Sequence, residues 1–190
     1  MSISLKNVTK SYGENTVISN ISLDFKLGER HCIMGASGTG KTTLLYIIMG
    51  LEKPDSGTVS GLSGLTLSPV FQEDRLCENL SVASNLRLVC KGRRDMSGMQ
   101  EVLEGLLLPD CLKKPVNTLS GGMKRRVSIA RALLHGGDVL LFDEPFKGLD
   151  LETKSIVTDY VEKSRRGRTM IWVSHDLEEA RQNSDNIIEL

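Results

Sequence analysis

The stretch Gly35-Ala36-Ser37-Gly38-Thr39-Gly40-Lys41-Thr42 fits the pattern G-x-x-x-x-G-K-[ST] at every fixed position. The run Arg30–Met34 before it predicts a short buried strand, and the apolar run at residues 42–49 predicts a buried helix. Glycines allow the backbone to curl so that successive N–H groups point inward at phosphate oxygens. The start of the helix adds unpaired N–H groups and a positive dipole end. This order of elements predicts an α/β fold with a phosphate-binding loop.

Two side chains at the end of this loop can bind a nucleotide and its metal ion. Lys41 supplies a movable cation for the outer phosphates of a nucleotide, and the hydroxyl of Thr42 can bind Mg²⁺. The alternative is a glycine-rich turn in front of a core helix, which the agreement between pattern and flanking elements disfavours. We therefore predict an ATP-binding segment made of Gly35, Ala36, Ser37, Gly38, Thr39, Gly40, Lys41, Thr42 and Thr43.

A carboxylate pair, Asp143 and Glu144, closes the apolar run at residues 139–142. Such a run predicts a central strand that is buried on both faces. Ligands of open α/β sheets bind at the carboxyl ends of the parallel strands. We predict that Asp143 holds Mg²⁺ through water and that Glu144 polarises the water that attacks the nucleotide. The alternative is a solvated pair just past a strand end, but Pro145 and the upstream phosphate loop favour function.

The segment Leu119-Ser120-Gly121-Gly122 predicts a second anion-binding position. Ser120 is a favourable N-cap residue, and apolar residues at helical spacing follow it. Gly121 and Gly122 leave the backbone N–H groups at the helix start uncovered, which suits an anion. The alternative is a capped helix start without a ligand. The inner face of the predicted helix consists of Val127, Ala130 and Leu134, with Ile129 and Leu133 beside it.

The remaining sequence predicts two further layers around the phosphate loop. Apolar and polar residues alternate at residues 2–6 and 21–25, which indicates half-buried strands of an antiparallel sheet. Between residues 72 and 119 the pattern changes to short amphipathic helices punctuated by Pro109 and Pro115, which indicates an inserted helical lobe.

With these segments in this order, the chain resembles the nucleotide-binding domain of ATP-binding cassette (ABC) proteins over residues 2–190. The resemblance implies a single domain, residues 1–190, with a P-loop NTPase core and a mostly parallel sheet. It also implies an N-terminal antiparallel β subdomain and an inserted α-helical subdomain at about residues 73–125. Residues 119–123 resemble the family's signature loop, but Met123 stands where glutamine is usual. The chain also departs from the family pattern at Lys147 and Gly148, where serine and alanine are common.

The same resemblance implies roles for residues that would otherwise attract no attention. Gln72 matches the glutamine that contacts Mg²⁺ and water, and His175 matches the histidine that bonds the γ-phosphate. Ser120, Gly121 and Gly122 face the γ-phosphate held by a partner chain.

Two further residues, Tyr12 and Asp150, can each be interpreted in two ways. Tyr12 resembles the aromatic residue that stacks on adenine, although a plain core or surface tyrosine is nearly as good an interpretation. Asp150 matches the loop that crosses the dimer interface, and it also suits an N-cap. The helix that follows Asp150 has a predicted apolar face formed by Ile156, Val157, Tyr160 and Val161. Asp176 and Glu179 form the pattern of a capping box for the next helix.

The implied activity is ATP hydrolysis, with ATP and Mg²⁺, by a head-to-tail homodimer that drives a transmembrane permease. Such a chain would lie in the cytoplasm, on the inner face of the cell membrane, and would meet the permease near residues 71–76. The chain is loosely similar to importer ATPases of the nitrate, sulfonate and taurine kind. The alternatives are a soluble ABC-type ATPase not coupled to transport and a catalytically inactive binding module, which the retained Glu144 and His175 disfavour.

Composition limits the other possibilities. The formal net charge is +0, with 24 basic and 24 acidic residues, which argues against a nucleic-acid partner. The basic runs at residues 91–94, 124–126 and 165–168 are interpreted as solvated helix faces or loops. The four cysteines form no metal-binding or disulfide pattern and are predicted to be free thiols. No stretch resembles a signal peptide, and none approaches the ~20 apolar residues that span a bilayer.

Overall fold

The computed structural model describes residues 1–90 and 96–190, so the basic run at residues 91–94 lies outside the described residues. The chain divides into two compact units. The first unit contains residues 1–67, 138–144 and 167–190, and the second contains residues 68–137 and 145–166. In the described part of the chain, no helix is both long enough and apolar enough to cross a membrane.

The first unit contains an antiparallel sheet of β1 (Ser2–Tyr12), β2 (Asn15–Lys26) and β4 (Ser56–Ser60), with β1 in the centre. Leu5 of β1 lies opposite Leu23 of β2. Ile3 and Phe25, a second facing pair, are fully buried. The alternating pattern places one face of each strand in the core, and the predicted antiparallel sheet is confirmed.

The first unit also contains four parallel strands in the order β6-β7-β3-β8. They are β3 (Arg30–Met34), β6 (Val139–Asp143), β7 (Thr169–Val173) and β8 (Asn186–Glu189). Every residue of β6 and β7 is buried, as expected for parallel strands that are covered on both faces. The helices α1 (Lys41–Ile48) and α6 (Leu177–Asn183) complete this unit, while β5 (Leu67–Val70) spans its boundary with the second unit.

The second unit is mainly helical. It contains α2 (Val82–Arg87), α3 (Met96–Gly105), a short 3₁₀ helix (Val116–Thr118), α4 (Gly121–His135) and α5 (Leu151–Arg165). The predicted inner face of α4 is buried throughout, from Val127 to Leu134. The predicted face of α5 is wrong at Ile156, which is 40% exposed, because the buried stripe is narrower and is centred on Val157 and Val161.

Three helix starts carry the N-caps that the sequence predicts. The hydroxyl of Ser120 accepts a hydrogen bond from the N–H of Met123 at 3.3 Å. The carboxylate of Asp150 accepts one from the N–H of Thr153 at 2.9 Å, and that bond lowers the pKa of Asp150. Asp176 caps α6 by accepting from two backbone N–H groups. Each cap satisfies donors that a helix start otherwise leaves unpaired.

Candidate nucleotide-binding site

The loop between β3 and α1 has a backbone that only glycines can follow. Gly38 and Gly40 have φ values of +85° and +89°, in the left-handed region. A Cβ atom at Gly40 would lie 2.5 Å from the carbonyl oxygen of Val17, and one at Gly35 would lie 2.7 Å from that of Leu190. Both distances are shorter than any real Cβ contact, so the glycines at these two positions are required by close backbone approach.

Lys41 is the first residue of α1, and its side chain folds back over the loop. Its ammonium group donates hydrogen bonds to the carbonyl oxygens of Gly35 at 2.9 Å and Ala36 at 2.6 Å. Burial lowers the pKa of Lys41, while the charges of Glu144 and Asp143 oppose that lowering. The cation therefore sits inside the loop and close to two carboxylates. The hydroxyls of Thr42 and Thr43 follow it in the first turn of α1, where both residues are half-buried.

The two predicted carboxylates lie at the carboxyl end of β6. Asp143 is the last residue of the strand and is 1% exposed, and Glu144 after it is 8% exposed. The alternative of a solvated pair is therefore wrong, because both carboxylates are buried. Glu144 has a φ of +48°, a left-handed conformation that is uncommon for a residue with a side chain. Buried acids in unusual backbone conformations cluster at functional sites.

His175 follows β7 and reaches one of these carboxylates. Its Nε2 atom contacts Oε1 of Glu144, with the imidazole 45% exposed. Beside it, the side chain of Asp176 caps α6. The Glu179 carboxylate accepts a hydrogen bond from the hydroxyl of Ser174, and the N–H of Asp176 donates to that same hydroxyl at 3.1 Å. The reciprocal bond of the predicted capping box stays a prediction.

The donor set in the first unit fits Mg²⁺. In the described residues no cluster of three or more His, Cys, Asp or Glu side chains could hold a metal ion by itself. Mg²⁺ does not need one, because it is commonly held by one or two carboxylates, by water and by the phosphates of its substrate. The Thr42 hydroxyl, in the first turn of α1, and the Asp143 carboxylate, at the end of β6, are oxygen donors of that kind.

Tyr12 is the last residue of β1 and is 50% exposed. The interpretation of Tyr12 as a core residue is therefore wrong. The ammonium of Lys10 lies 5.3 Å from the centroid of its ring. A ring with an exposed face can stack on a base or remain a surface side chain, and stacking on adenine stays a prediction.

The other predicted site residues belong to the second unit. Gln72 is exposed and follows β5. Ser120 and Gly121 are exposed at the start of α4. A Cβ atom at Gly122 would lie 3.3 Å from the side chain of Leu149, so this glycine allows the loop before α5 to approach the start of α4 closely. Asp150, at the end of that loop, caps α5.

Sequence reasoning missed a buried arginine that contacts the backbone of Gln72. The prediction of a solvated basic run at residues 124–126 is wrong at Arg125, which is 8% exposed and donates hydrogen bonds to the carbonyl oxygens of Phe71 and Gln72. The same correction applies to Arg165, which is 8% exposed and pairs with Glu162. A signal for Arg125 was available, because Arg125, Ser128 and Arg131 form a polar row along one side of α4.

The comparisons with known proteins agree with this geometry. The pattern of the ABC transporter family matches residues 18–147. The aliphatic sulfonates import ATP-binding protein SsuB 1 of Rhodococcus jostii (strain RHA1) is 40% identical over 194 residues, which cover 99% of this chain and 78% of that protein.

Two solved structures are also similar. The dimeric structure of a bacterial ABC transporter cassette has a TM-score of 0.86 and 32% identity, covering 99% of this chain and 94% of that chain. A dimeric post-hydrolysis state of an ATP-binding cassette, bound to ADP and Pi, has the same values. The fold is thus that of an α/β P-loop NTPase of the cassette type. The chain belongs to the ABC transporter family and is an ATP-binding, ATP-hydrolysing subunit.

Proposed function

We propose that two copies of this chain close head to tail around ATP and Mg²⁺ and that the cycle of closure and hydrolysis drives a membrane permease. The permease keeps the chain at the inner face of the cell membrane. Similarity to the ATP-binding protein of an aliphatic sulfonate importer supports coupling to a permease of the import type. The partly exposed loop at residues 71–76 is the segment that we propose meets the permease.

The observation that carries this proposal is the exposed start of α4. Ser120 and Gly121 are exposed, and a Cβ atom at Gly121 would meet nothing within 4 Å. The helix that begins there has 15 residues, and its first N–H groups and positive dipole end suit a phosphate. A dimer that presents this helix start to the partner's nucleotide uses these features together, and the dimeric relatives support that arrangement.

The proposed roles follow from the chemistry of each group. Lys41 neutralises the outer phosphates from inside the loop formed by residues 35–40. Thr42, Asp143 and Gln72 bind Mg²⁺, which when bound neutralises charge that develops on the phosphates. Tyr12 stacks on the adenine.

Glu144 and His175 act on the water and on the γ-phosphate. The buried Glu144 carboxylate accepts a hydrogen bond from the attacking water and orients it in line with the phosphorus–oxygen bond. His175, which contacts Glu144 in this structure, donates a hydrogen bond to the γ-phosphate when ATP is bound. Ser120, Gly121 and Gly122 of the other copy donate to the same phosphate. Loss of the γ-phosphate removes these shared bonds, so the dimer opens.

Mixing two inactive variants tests the shared site. Lys41→Ala removes the cation of the phosphate loop and should abolish ATP binding in calorimetry, while Ser120→Arg places a bulky side chain where the partner's nucleotide lies. Each variant alone should lack ATPase activity. A mixed dimer has one site with both defects and one with neither, so an equimolar mixture should recover about a quarter of the parental activity.

The outcomes separate the parts of the proposal. Normal ATPase activity in Ser120→Arg alone would contradict a shared site, and no recovery on mixing would contradict the head-to-tail arrangement. Unchanged ATP affinity in Lys41→Ala would remove the phosphate-loop assignment. Coupling to a permease is tested by affinity purification from detergent-solubilised membranes, where a multi-span protein should accompany the parental chain. Its absence would favour an ATPase that is not coupled to transport.

A further inference from the structure

Residues 71–75 form a loop in the second unit, and side chains of α4 donate hydrogen bonds to the backbone of this loop. We call it the Gln72 loop. It follows β5 and has no regular secondary structure. Its backbone turns sharply, since Arg75 has a φ of +45°. A segment outside regular secondary structure needs other partners for its backbone carbonyl groups.

The partners are three residues of α4. Arg125 donates to the carbonyl oxygen of Phe71 at 2.6 Å and also to that of Gln72. Ser128 donates to that of Asp74 at 3.3 Å. Arg131 donates to the carbonyl oxygens of Asp74 at 3.0 Å and Arg75 at 2.7 Å.

Arg125 makes the bonds that bear most directly on Gln72. Its guanidinium is also 3.3 Å from the carboxylate of Asp74, and its side chain is only 10% exposed. Hydrogen bonds from a charged donor are stronger than neutral ones, and the planar guanidinium fixes two acceptors at once in a rigid fork. The backbone of Gln72 is thus held in one position by a buried cation, while the residue itself remains exposed.

α4 is also the helix that begins at Ser120. Arg125 lies five positions after Ser120, so little more than one helical turn lies between the capped start and the bonds to the Gln72 loop. A helix turn with intact backbone bonds is stiff on this length scale. The helix start and the backbone of Gln72 therefore lie on one rigid support within the second unit.

We propose that Arg125 is a positioning residue for ATP hydrolysis, which acts by holding the backbone of Gln72 on the helix that begins at Ser120. The inference rests on the proposed function, in which Gln72 binds Mg²⁺ and Ser120 binds a phosphate. Arg125 touches neither ion nor nucleotide in this scheme. Its removal lets the Gln72 loop move relative to α4, which misplaces a metal ligand without removing the phosphate loop that binds ATP.

The test is a double-mutant cycle on the full chain with the substitutions Arg125→Gln and Gln72→Ala. Arg125→Gln should lower kcat by about 10- to 100-fold, the usual cost of losing a group that orients a metal ligand. KM for ATP should change little, and the Kd for Mg²⁺, measured by calorimetry with a non-hydrolysable ATP analogue bound, should rise. In the Gln72→Ala background, adding Arg125→Gln should have almost no further effect, because both changes disable the same ligand.

Two other variants exclude a merely structural effect. Lys124→Gln changes the neighbouring residue, whose ammonium pairs with Glu78 at 2.6 Å, and should leave kcat unchanged. Arg125→Lys keeps the positive charge beside Asp74 but loses the two-carbonyl fork, and should recover part of the lost kcat. If Arg125→Gln loses its cooperative thermal unfolding, the cycle is measured with Arg125→Lys.

The outcomes are distinct from those of the mixing experiment. A loss of activity from Arg125→Gln that is equally large with and without Gln72 would overturn the inference, as would a parental kcat in both Arg125 variants. Either result leaves recovery on mixing Lys41→Ala with Ser120→Arg untouched. If mixing itself gives no recovery, the shared site fails, whatever the Arg125 variants do.

Discussion

Glu144 is held in a conformation that its own backbone disfavours. A left-handed φ costs a residue with a Cβ atom about 1–2 kcal/mol, and Glu144 adopts it between a fully buried strand and Pro145. The surrounding structure therefore determines this conformation. Its effect is to hold a buried carboxylate against His175 at the end of β6. The burial of this carboxylate, together with its contact to His175, argues for a catalytic role.

The cysteines should react with alkylating agents at very different rates. Burial, with the nearby charge of Glu179, raises the pKa of Cys32 to about 12, so at pH 8 only about one thiol in 10⁴ is a thiolate. Cys111 is buried as well, whereas Cys77 is exposed. Because the thiolate is the nucleophile, iodoacetamide should modify Cys77 at least about 100-fold faster than Cys32 in the native protein.

Peptide mass spectrometry after timed quenching measures these rates. Raising the pH from 8 to 10 should still leave Cys32 protonated and slow, since its raised pKa lies above that range. Cys77→Ser serves as the control and should remove the rapid modification. Alkylation of native Cys32 as rapid as that of Cys77 would contradict both its burial and its raised pKa.

At the scale of elements, the packing of α3 against α5 depends on the absence of one side chain. A Cβ atom at Gly105, the last residue of α3, would lie 1.9–2.4 Å from ring carbons of Tyr160. Replacing a helical glycine by alanine normally stabilises a helix by up to about 1 kcal/mol. Here Gly105→Ala should instead lower the free energy of unfolding by about 1–3 kcal/mol, because the ring must be displaced.

Urea unfolding of Gly105→Ala, measured in the parental chain and in Tyr160→Ala, checks whether the substitution lowers the free energy of unfolding. With Tyr160→Ala, the obstructing ring is gone, so adding Gly105→Ala should be neutral or stabilising. The difference between the two backgrounds measures the steric interaction alone. An equal loss of stability in both backgrounds would show that the cost comes from elsewhere in the helix.

The sequence predicts most elements here because local patterns determine them. The glycine pattern before α1, the apolar run of β6 and the N-cap at Ser120 each depend on neighbouring residues, and each prediction is confirmed. The role of Arg125 is different, since its acceptors lie more than 50 residues earlier in the chain. No local pattern shows where a distant loop folds back. Ile156 was misjudged for the same reason, because the width of the buried face depends on what packs against it.

At the scale of the whole molecule, the site residues are divided between two units. The phosphate loop, Asp143, Glu144 and His175 belong to the first unit, whereas Gln72 and the start of α4 belong to the second. The order of motifs in the sequence predicts this grouping only through the family resemblance, because spacing alone does not say which segments share a compact unit.

Glu144→Gln tests whether Glu144 is the base and whether two copies of the complete protein close around ATP. The amide keeps the size of the side chain but cannot act as a base, so phosphate release should fall by about 10²-fold or more. ATP should still bind, because Lys41 and the glycine loop are intact. Since the bridging γ-phosphate then persists, the variant should accumulate as a dimer with ATP and Mg²⁺ but not with ADP, as measured by light scattering after size-exclusion chromatography.

Glu101→Gln, a change of the same chemistry on the exposed surface of α3, is the matched control and should behave as the parental chain. Parental phosphate release in Glu144→Gln would show that Glu144 is not the base. A different failure is equally informative: a variant that binds ATP and hydrolyses it slowly, yet stays monomeric at all ATP concentrations, would contradict closure around the nucleotide. In that case the exposed Ser120 helix start would need another partner, because its N–H groups would not meet the phosphate of a second copy.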